Sequence, residues 1–339
     1  MANLYNKYRP ADFDSVVEQS LVVTMLKEIC KESPLKNRNF LLIGPAGTGK
    51  TTLARVVAKT INNGSTDYIE VDAASHGSAD SIREIVKQAQ SYPVGTNYKV
   101  FIIDEVHAVS SAGWSIFLKT LEESPAKSVF LMCTTNPEKI PPTILSRVQT
   151  FQLSKISTEG IHNRLINVIR KENESGANIE YDPKAVAFVA KLANGGMRDA
   201  LTLLDRVLVY SKNITSENVV AALDLPNYDD YFSLLRAYAK KDDESICNLI
   251  DSAYNSGINF VKWMEGFHGF VMNVLKYIFL HDISRTTIPS HYEAKISQYG
   301  PQHAIICMRL SNRLVDMLPA LKSSQFLQEV ALSYLCSSK

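Results

Sequence analysis

One stretch constrains everything around it: Leu41-Leu42-Ile43-Gly44-Pro45-Ala46-Gly47-Thr48-Gly49-Lys50-Thr51-Thr52. The apolar run from Phe40 to Ile43 reads as a buried strand, a glycine-rich turn follows, and Leu53, Val56 and Val57 begin a helical pattern. Gly44, Gly49, Lys50 and Thr51 complete the G-x-x-x-x-G-K-[ST] spacing, in the strand–loop–helix order the motif requires. Glycine lets successive backbone N–H groups converge on a phosphate with no Cβ in the way. The helix that follows adds its positive N-terminal end to the same anion. Lys50 is expected to reach the β- and γ-phosphates and the Thr51 hydroxyl to ligate Mg²⁺. A chain that opens this way is committed to an α/β sheet with a nucleotide at one edge.

The segments downstream agree. Tyr68-Ile69-Glu70-Val71-Asp72 alternates like a strand, Ser81 to Ala89 carries a helical stripe, and Val100 to Ile103 is a continuous apolar run. A helix is expected from about Ala112 to Glu123, and Val129 to Cys133 forms another buried strand. Continuous apolar strands alternating with helices predict a parallel sheet, covered on both faces, with its ligand at the strand C-termini. Asp104 falls where one strand emerges, the position from which a carboxylate holds Mg²⁺ opposite Thr51. Glu105 beside it is placed to polarise an attacking water. Asn136, after the next strand, reads either as a hydrogen-bond donor to that water or the γ-phosphate, or as a turn former before Pro137. His107 reads as a loop histidine. Upstream, Tyr8-Arg9-Pro10 with Phe13, Val16 and Val17 forms either a wall for an adenine base or plain domain-edge packing.

From about Ser154 the texture becomes helical: Gly160 to Lys171, Pro183 to Ala193, Met197 to Ser211 and Ser216 to Leu223. Leu225-Pro226-Asn227-Tyr228 reads as a joint, and helical stripes continue beyond it, interrupted by a loop from Ser284 to Ser290. Three domains are expected: 1–154, 155–224 and 225–339. Arg147 closes the first and Arg198 opens a helix of the second; each is either a surface ion-pair partner or a stabiliser of charge on a transferring phosphate.

At 339 residues the chain is long for a single core, which agrees with two or three domains. No segment is apolar enough to span a membrane, and the first residues lack a signal-peptide core. Five scattered cysteines with no C-x-x-C pair argue against a disulfide framework and a zinc site, so a reducing cytoplasm (or a nucleus) is the expected compartment. The net charge of +1 announces no nucleic-acid binder by composition.

Taken together, the motifs resemble those of the AAA+ ATPase subunits of DNA-polymerase clamp loaders, of the bacterial gamma/tau type and the replication factor C small-subunit type. The resemblance rests on Tyr8-Arg9-Pro10, Phe13 to Gln19, the phosphate loop, Val71-Asp72-Ala73-Ala74-Ser75, Ile103-Asp104-Glu105-Val106-His107, Phe117 to Glu123, Thr134-Thr135-Asn136, Pro142 to Arg147 and Met197-Arg198-Asp199-Ala200-Leu201. It spans roughly residues 1–223. It implies an AAA+ ATPase domain, a helical lid and a helical collar. Lys50, Thr51, Asp104 and Glu105 would be the catalytic core, with Thr51 and Asp104 on Mg²⁺. Asn136 would be the first sensor and Arg198 the second, while Arg147 would be a finger reaching a neighbouring subunit's site. Tyr8, Arg9 and Val17 would border the adenine of ATP. Partners implied are other loader subunits in a pentameric ring or spiral, a sliding clamp, and primer–template DNA.

Two departures stand out. Bacterial members carry a cysteine zinc module after the loop helix, for which Ile61 to Asp67 leaves no room, so no zinc is expected and a pared-down or phage-encoded member is the nearer likeness. Val148 stands where the family's Ser-Arg-Cys triplet has cysteine, a small hydrophobe that valine replaces without disturbing Arg147. Non-specific DNA contacts are assigned to His76, Ser78, Arg83, Ser110 and Ser111, for each of which a solvated loop is an equal account. Rival readings are another AAA+ machine, such as a branch-migration or recombination-associated ATPase, and a non-hydrolysing structural subunit of a loader.

Overall fold

The computed structural model describes residues 3–32, 34–35, 38–123, 127–225, 227–289 and 292–336. Pro226 and Ser290, read above as part of a joint and a loop, lie outside them. Contacts divide the chain into two compact units, one running to Ile179 and including Val189–Arg206, the other comprising Glu180–Phe188 and Val207 onward.

The first unit is built on a five-stranded parallel sheet: β1 (Asn39–Ile43), β2 (Ile69–Asp72), β3 (Lys99–Asp104), β4 (Ser128–Thr134) and β5 (Gln149–Gln152), in the order β2-β3-β4-β1-β5. Its helices are α1 (Leu4–Lys7), α2 (Ser20–Cys30), α3 (Lys50–Ile61), α4 (Ala73–His76), α5 (Ala79–Ala89), α6 (Ser111–Glu123), α7 (Pro142–Leu145) and α8 (Thr158–Glu174). Every residue of β1 and β4 is buried, which explains their unbroken apolar sequence. Alternate side chains serve opposite layers. Phe40 and Leu42 pack with Leu53 and Val57 of α3, while Leu41 and Ile43 pack with Ile82 of α5 and Phe117 of α6. The register sets Ile43 beside Thr134 and Ile103 beside Met132, so the C-terminal ends of β1, β3 and β4 open onto one edge.

Strand β5 and the short α4 are among the features that lay outside the sequence reading. Strand β5 escaped it because only Phe151 of its four residues is buried, leaving no apolar run to see. The short α4 is a single turn, capped when the Asp72 side chain accepts from Ala74 N.

Two further helices, α9 (Pro183–Leu192) and α10 (Met197–Tyr210), run through the unit boundary. The second unit also holds the two-residue parallel pair β6 (Glu180–Tyr181) and β7 (Asn213–Ile214). Its remaining helices are α11 (Ser216–Ala222), α12 (Tyr228–Lys240), α13 (Asp243–Asn255), α14 (Phe260–Leu280), α15 (Glu293–Ile296), α16 (Ala304–Ser323) and α17 (Leu327–Leu335). Its core is aromatic: Tyr231, Phe232, Trp263, Phe267 and Phe270 pack ring against ring, with Tyr231 OH donating to Trp263 O at 2.7 Å. Among the described residues no helix is long and apolar enough to cross a membrane.

Candidate nucleotide-binding site

The turn between β1 and α3 takes its shape from glycine. Gly47 and Gly49 hold φ of +74° and +101°, the left-handed region that side chains with a Cβ enter only at a cost. At Gly47 a Cβ would also stand 3.0 Å from Gly196 Cα. There the phosphate loop is fastened to the start of α10, Met197 N donating to Gly47 O at 2.9 Å.

Around the loop lies a cavity of about 240 Å³. Tyr8, Arg9, Val17, Ala46, Gly47, Thr48, Gly49, Lys50, Thr51, Thr52, Asp104, Glu105 and Arg198 all line it, as the sequence reading expected of one site. Gly44 and Pro45 stand behind them: their carbonyls accept from Lys50 Nζ at 2.8 and 2.9 Å. Lys50 is buried, and burial pushes its pKa below the ordinary lysine value, opposed by the negative charge of Glu105 and Asp104. A buried cation bonded to the carbonyls of a glycine loop suits a polyanion.

The Thr51 hydroxyl donates to Asp104 Oδ2 at 2.6 Å, bringing together the two oxygen donors expected of a Mg²⁺ site. Glu105 is the first residue past β3 and adopts φ +46°, and its carboxylate turns toward the end of β4. Thr135 Oγ1 donates to Glu105 Oε2 at 3.1 Å, and His107 Nδ1 stands 3.2 Å from the same oxygen. His107, in the short turn after β3, also stands 3.0 Å from Thr134 Oγ1, so its ring lies between the Glu105 carboxylate and the end of β4.

Asn136 and Arg147 do not line the cavity. Asn136 follows β4, its backbone N–H donating to Thr134 Oγ1 at 3.0 Å. Arg147 pairs with Glu122 Oε1 at 2.6 Å and donates to Thr143 O at 2.7 Å. Of the residues assigned to DNA, Ser78 caps α5 by accepting from Ser81 N at 3.2 Å, and Arg83 pairs with Asp80. Ser110 Oγ accepts from Gly113 N at 3.1 Å, while its own N–H donates to Gly77 O at 2.9 Å. That bond sets the His76–Ser78 corner beside the start of α6, where Ser111 lies.

Several lining residues carried no sequence signal. Tyr5, Arg55, Glu70 and Arg164 belong to the cavity wall. Arg55 grips Glu70 through two bonds of 2.7 and 2.6 Å, and Arg164 Nη2 donates to Tyr8 O at 2.9 Å. Among the described residues the buried Arg9 Nε has no hydrogen-bond partner, a donor left over in a side chain that lines the cavity with Tyr8 and Val17. Glu18 and Gln19, at φ +55° and +57°, bond to the segment that precedes α8: Gln19 Nε2 donates to Ser154 O at 2.7 Å and Ser157 N to Glu18 Oε2 at 3.0 Å.

A phosphate loop on a parallel sheet, with Asp-Glu at the end of β3 and an arginine-bearing lid helix, defines an ATPase of the AAA class. The family described as "ATPase family associated with various cellular activities" matches residues 40–155. Residues 160–213 match the "DNA polymerase III clamp loader subunit, ATPase lid domain". The chain belongs to the family of DNA polymerase III gamma and tau subunits. It is 33% identical to DNA polymerase III subunit gamma of Buchnera aphidicola subsp. Schizaphis graminum over 79% of this chain and 80% of that one. It is 32% identical to DNA polymerase III subunit gamma/tau of Mycoplasma genitalium over 83% of this chain, and 36% identical to DNA polymerase III subunit tau of Bacillus subtilis over 62%. Of these last two relatives it spans 50% and 40% of the length. Among solved structures, the Thermotoga maritima RuvB Holliday junction branch migration motor shares the fold, at TM-score 0.52 and 20% identity over 68% of this chain and 78% of that one.

Proposed function

We propose that this chain is an ATP-hydrolysing subunit of a sliding-clamp loader, using ATP binding and turnover to place a ring clamp on primer–template DNA. The observation that carries this reading is the intact catalytic set in one cavity, Lys50, Thr51, Asp104 and Glu105, beneath a lid segment of clamp-loader type. In this reading Lys50 leaves its loop carbonyls for the phosphates, and Thr51 and Asp104 hold Mg²⁺, which would neutralise phosphate charge. Two protein oxygens leave room for phosphate and water as the remaining ligands, the usual arrangement for Mg²⁺. Glu105, once swung from Thr135 and His107, orients water for attack on the γ-phosphate. Arg198 stabilises charge from the lid, and Asn136 senses the same phosphate from the end of β4. The Arg9 Nε, Tyr8 and Val17 receive the adenine.

Arg147, outside its own chain's cavity, is assigned to a neighbouring subunit's site, which makes assembly into a ring or spiral a condition for turnover. We assign 1–154 to the ATPase domain, 155–224 to the lid and 225–339 to a collar. The chain's DNA contacts are phosphate-directed and come from the corner between α4 and α6.

The test is the steady-state ATPase rate of the assembled protein with and without primed DNA and the sliding clamp, for wild type and Arg147→Ala. Stimulation by both ligands, with the arginine variant binding nucleotide but turning over poorly, is expected. A rate indifferent to the clamp but raised by branched DNA would move the function to another AAA+ machine.

A further inference from the structure

The N-terminal turn α1 is tied to the lid helices at each of its residues that reach them. Leu4 N donates to Asp205 Oδ2 of α10 at 3.2 Å. Lys7 Nζ and Tyr8 OH both reach Glu172 Oε1 of α8 at 2.6 Å. Arg164 of α8 returns a bond to Tyr8 O at 2.9 Å. In the middle of this strap sits Tyr5. Its ring centroid is 4.6 Å from the Arg9 guanidinium carbon and 4.9 Å from that of Arg198, and its hydroxyl is hydrogen-bonded by Arg9. All three side chains line the nucleotide cavity. Two guanidinium groups sharing one ring are held by its negative face against their mutual repulsion.

We propose that Tyr5 is a positioning residue that holds Arg198 at the cavity wall, so that discrimination of ATP from ADP depends on this ring as well as on the arginine. The inference rests on the reading of the site as an ATPase centre in which Arg198 meets the γ-phosphate. Arg198 is solvent-exposed, and an exposed arginine free to sample many rotamers loses more entropy on reaching a phosphate than one already stacked beside it. Because the ring also carries Arg9, assigned above to the adenine, Tyr5 joins the residues proposed for the base to the one proposed for the γ-phosphate. ADP lacks the γ-phosphate and gains nothing from a prepositioned Arg198. The ring therefore favours ATP selectively.

The experiment uses the full chain with Mg²⁺ and measures displacement of a fluorescent ADP analogue by ATPγS and by ADP. Variants are Tyr5→Leu, which keeps bulk and loses the π face, Tyr5→Phe, Arg198→Ala and the Tyr5→Leu/Arg198→Ala pair, each checked for an unchanged melting temperature. Tyr5→Leu is expected to lower the ATPγS-over-ADP preference about two- to fivefold, the range for one exposed cation–π contact. Tyr5→Phe should keep the preference, and the double variant should match Arg198→Ala alone. Equal weakening of both nucleotides by Tyr5→Leu, or a loss that adds to that of Arg198→Ala, would overturn the proposal while leaving the ATPase reading intact. If Arg198→Ala itself leaves the preference unchanged, the assignment of Arg198 falls and the role of Tyr5 falls with it.

Discussion

The parallel sheet and the C-terminal helices solve the same packing problem with different chemistry. Strands β1, β3 and β4 bury mainly aliphatic residues with one phenylalanine each (Phe40, Phe101 and Phe130), and β3 and β4 end in the polar Asp104 and Thr134, so the sheet's core and its chemistry are a single construction. The helices from α12 onward bury Tyr231, Trp263, Phe267 and Phe270 among themselves, and their polar groups are spent on caps and on internal bonds such as Tyr231 OH to Trp263 O. The lesson is that one half can lose catalysis with its fold intact, and the other can lose its fold with no catalytic residue touched.

The comparison is broken most severely at Glu105. Glu105→Gln should lower kcat on the order of a hundredfold or more while nucleotide affinity and melting temperature hold, checked by steady-state ATPase assay and calorimetry. In the helical half, Tyr231→Ala removes a ring that is 1% exposed and its buried bond, and should cost about 4 kcal/mol in a denaturant titration. Nucleotide binding by that variant should stay near wild type; a matching loss of affinity would show that the halves do not stand independently.

Alkali sharpens the contrast. Burial pushes the Tyr228 pKa up to about 12, and that of Tyr231 further, while in the nucleotide-binding unit Tyr8 rises to about 12. A tyrosine whose folded pKa exceeds its unfolded value, near 10, contributes stability that is full below pH 10 and lost as pH climbs through 12. The helical half, with Tyr292 and Tyr299 also shifted up by burial, should therefore unfold first in that window, followed by tyrosinate absorbance against helical circular dichroism.

Smaller effects belong to the loop and its neighbour. Gly47→Ala forces a left-handed residue and a Cβ against Gly196, and should cost about 1–2 kcal/mol in thermal unfolding and weaken nucleotide binding with it. Least of all, His107→Ala removes the imidazole 3.2 Å from the Glu105 carboxylate and should raise the unstimulated ATPase rate roughly threefold, the scale of one partly exposed polar contact.

The site was legible where chemistry demands local spacing. Gly44 to Thr52 and Asp104-Glu105 are contiguous in sequence because one loop and one strand end must present them. Tyr5, Arg55, Glu70 and Arg164 were not, because each reaches the cavity from a separate element whose own pattern says only helix or strand. His107 was visible as a residue but not as a partner of Thr134, since that contact depends on β3 and β4 being neighbours. Strand β5 was missed because an edge strand with one buried residue leaves no apolar signature.

By itself the sequence determined the strand–loop–helix that binds phosphate, the buried strands and the helical texture after Ser154, because hydrophobic period and glycine placement act over a few residues. That β1 lies between β4 and β5, that Glu105 is turned toward Thr135, and that Arg198 rests on Tyr5 came only with tertiary packing. Those outcomes join residues far apart in the chain, and their energies exist only after the sheet and lid have packed.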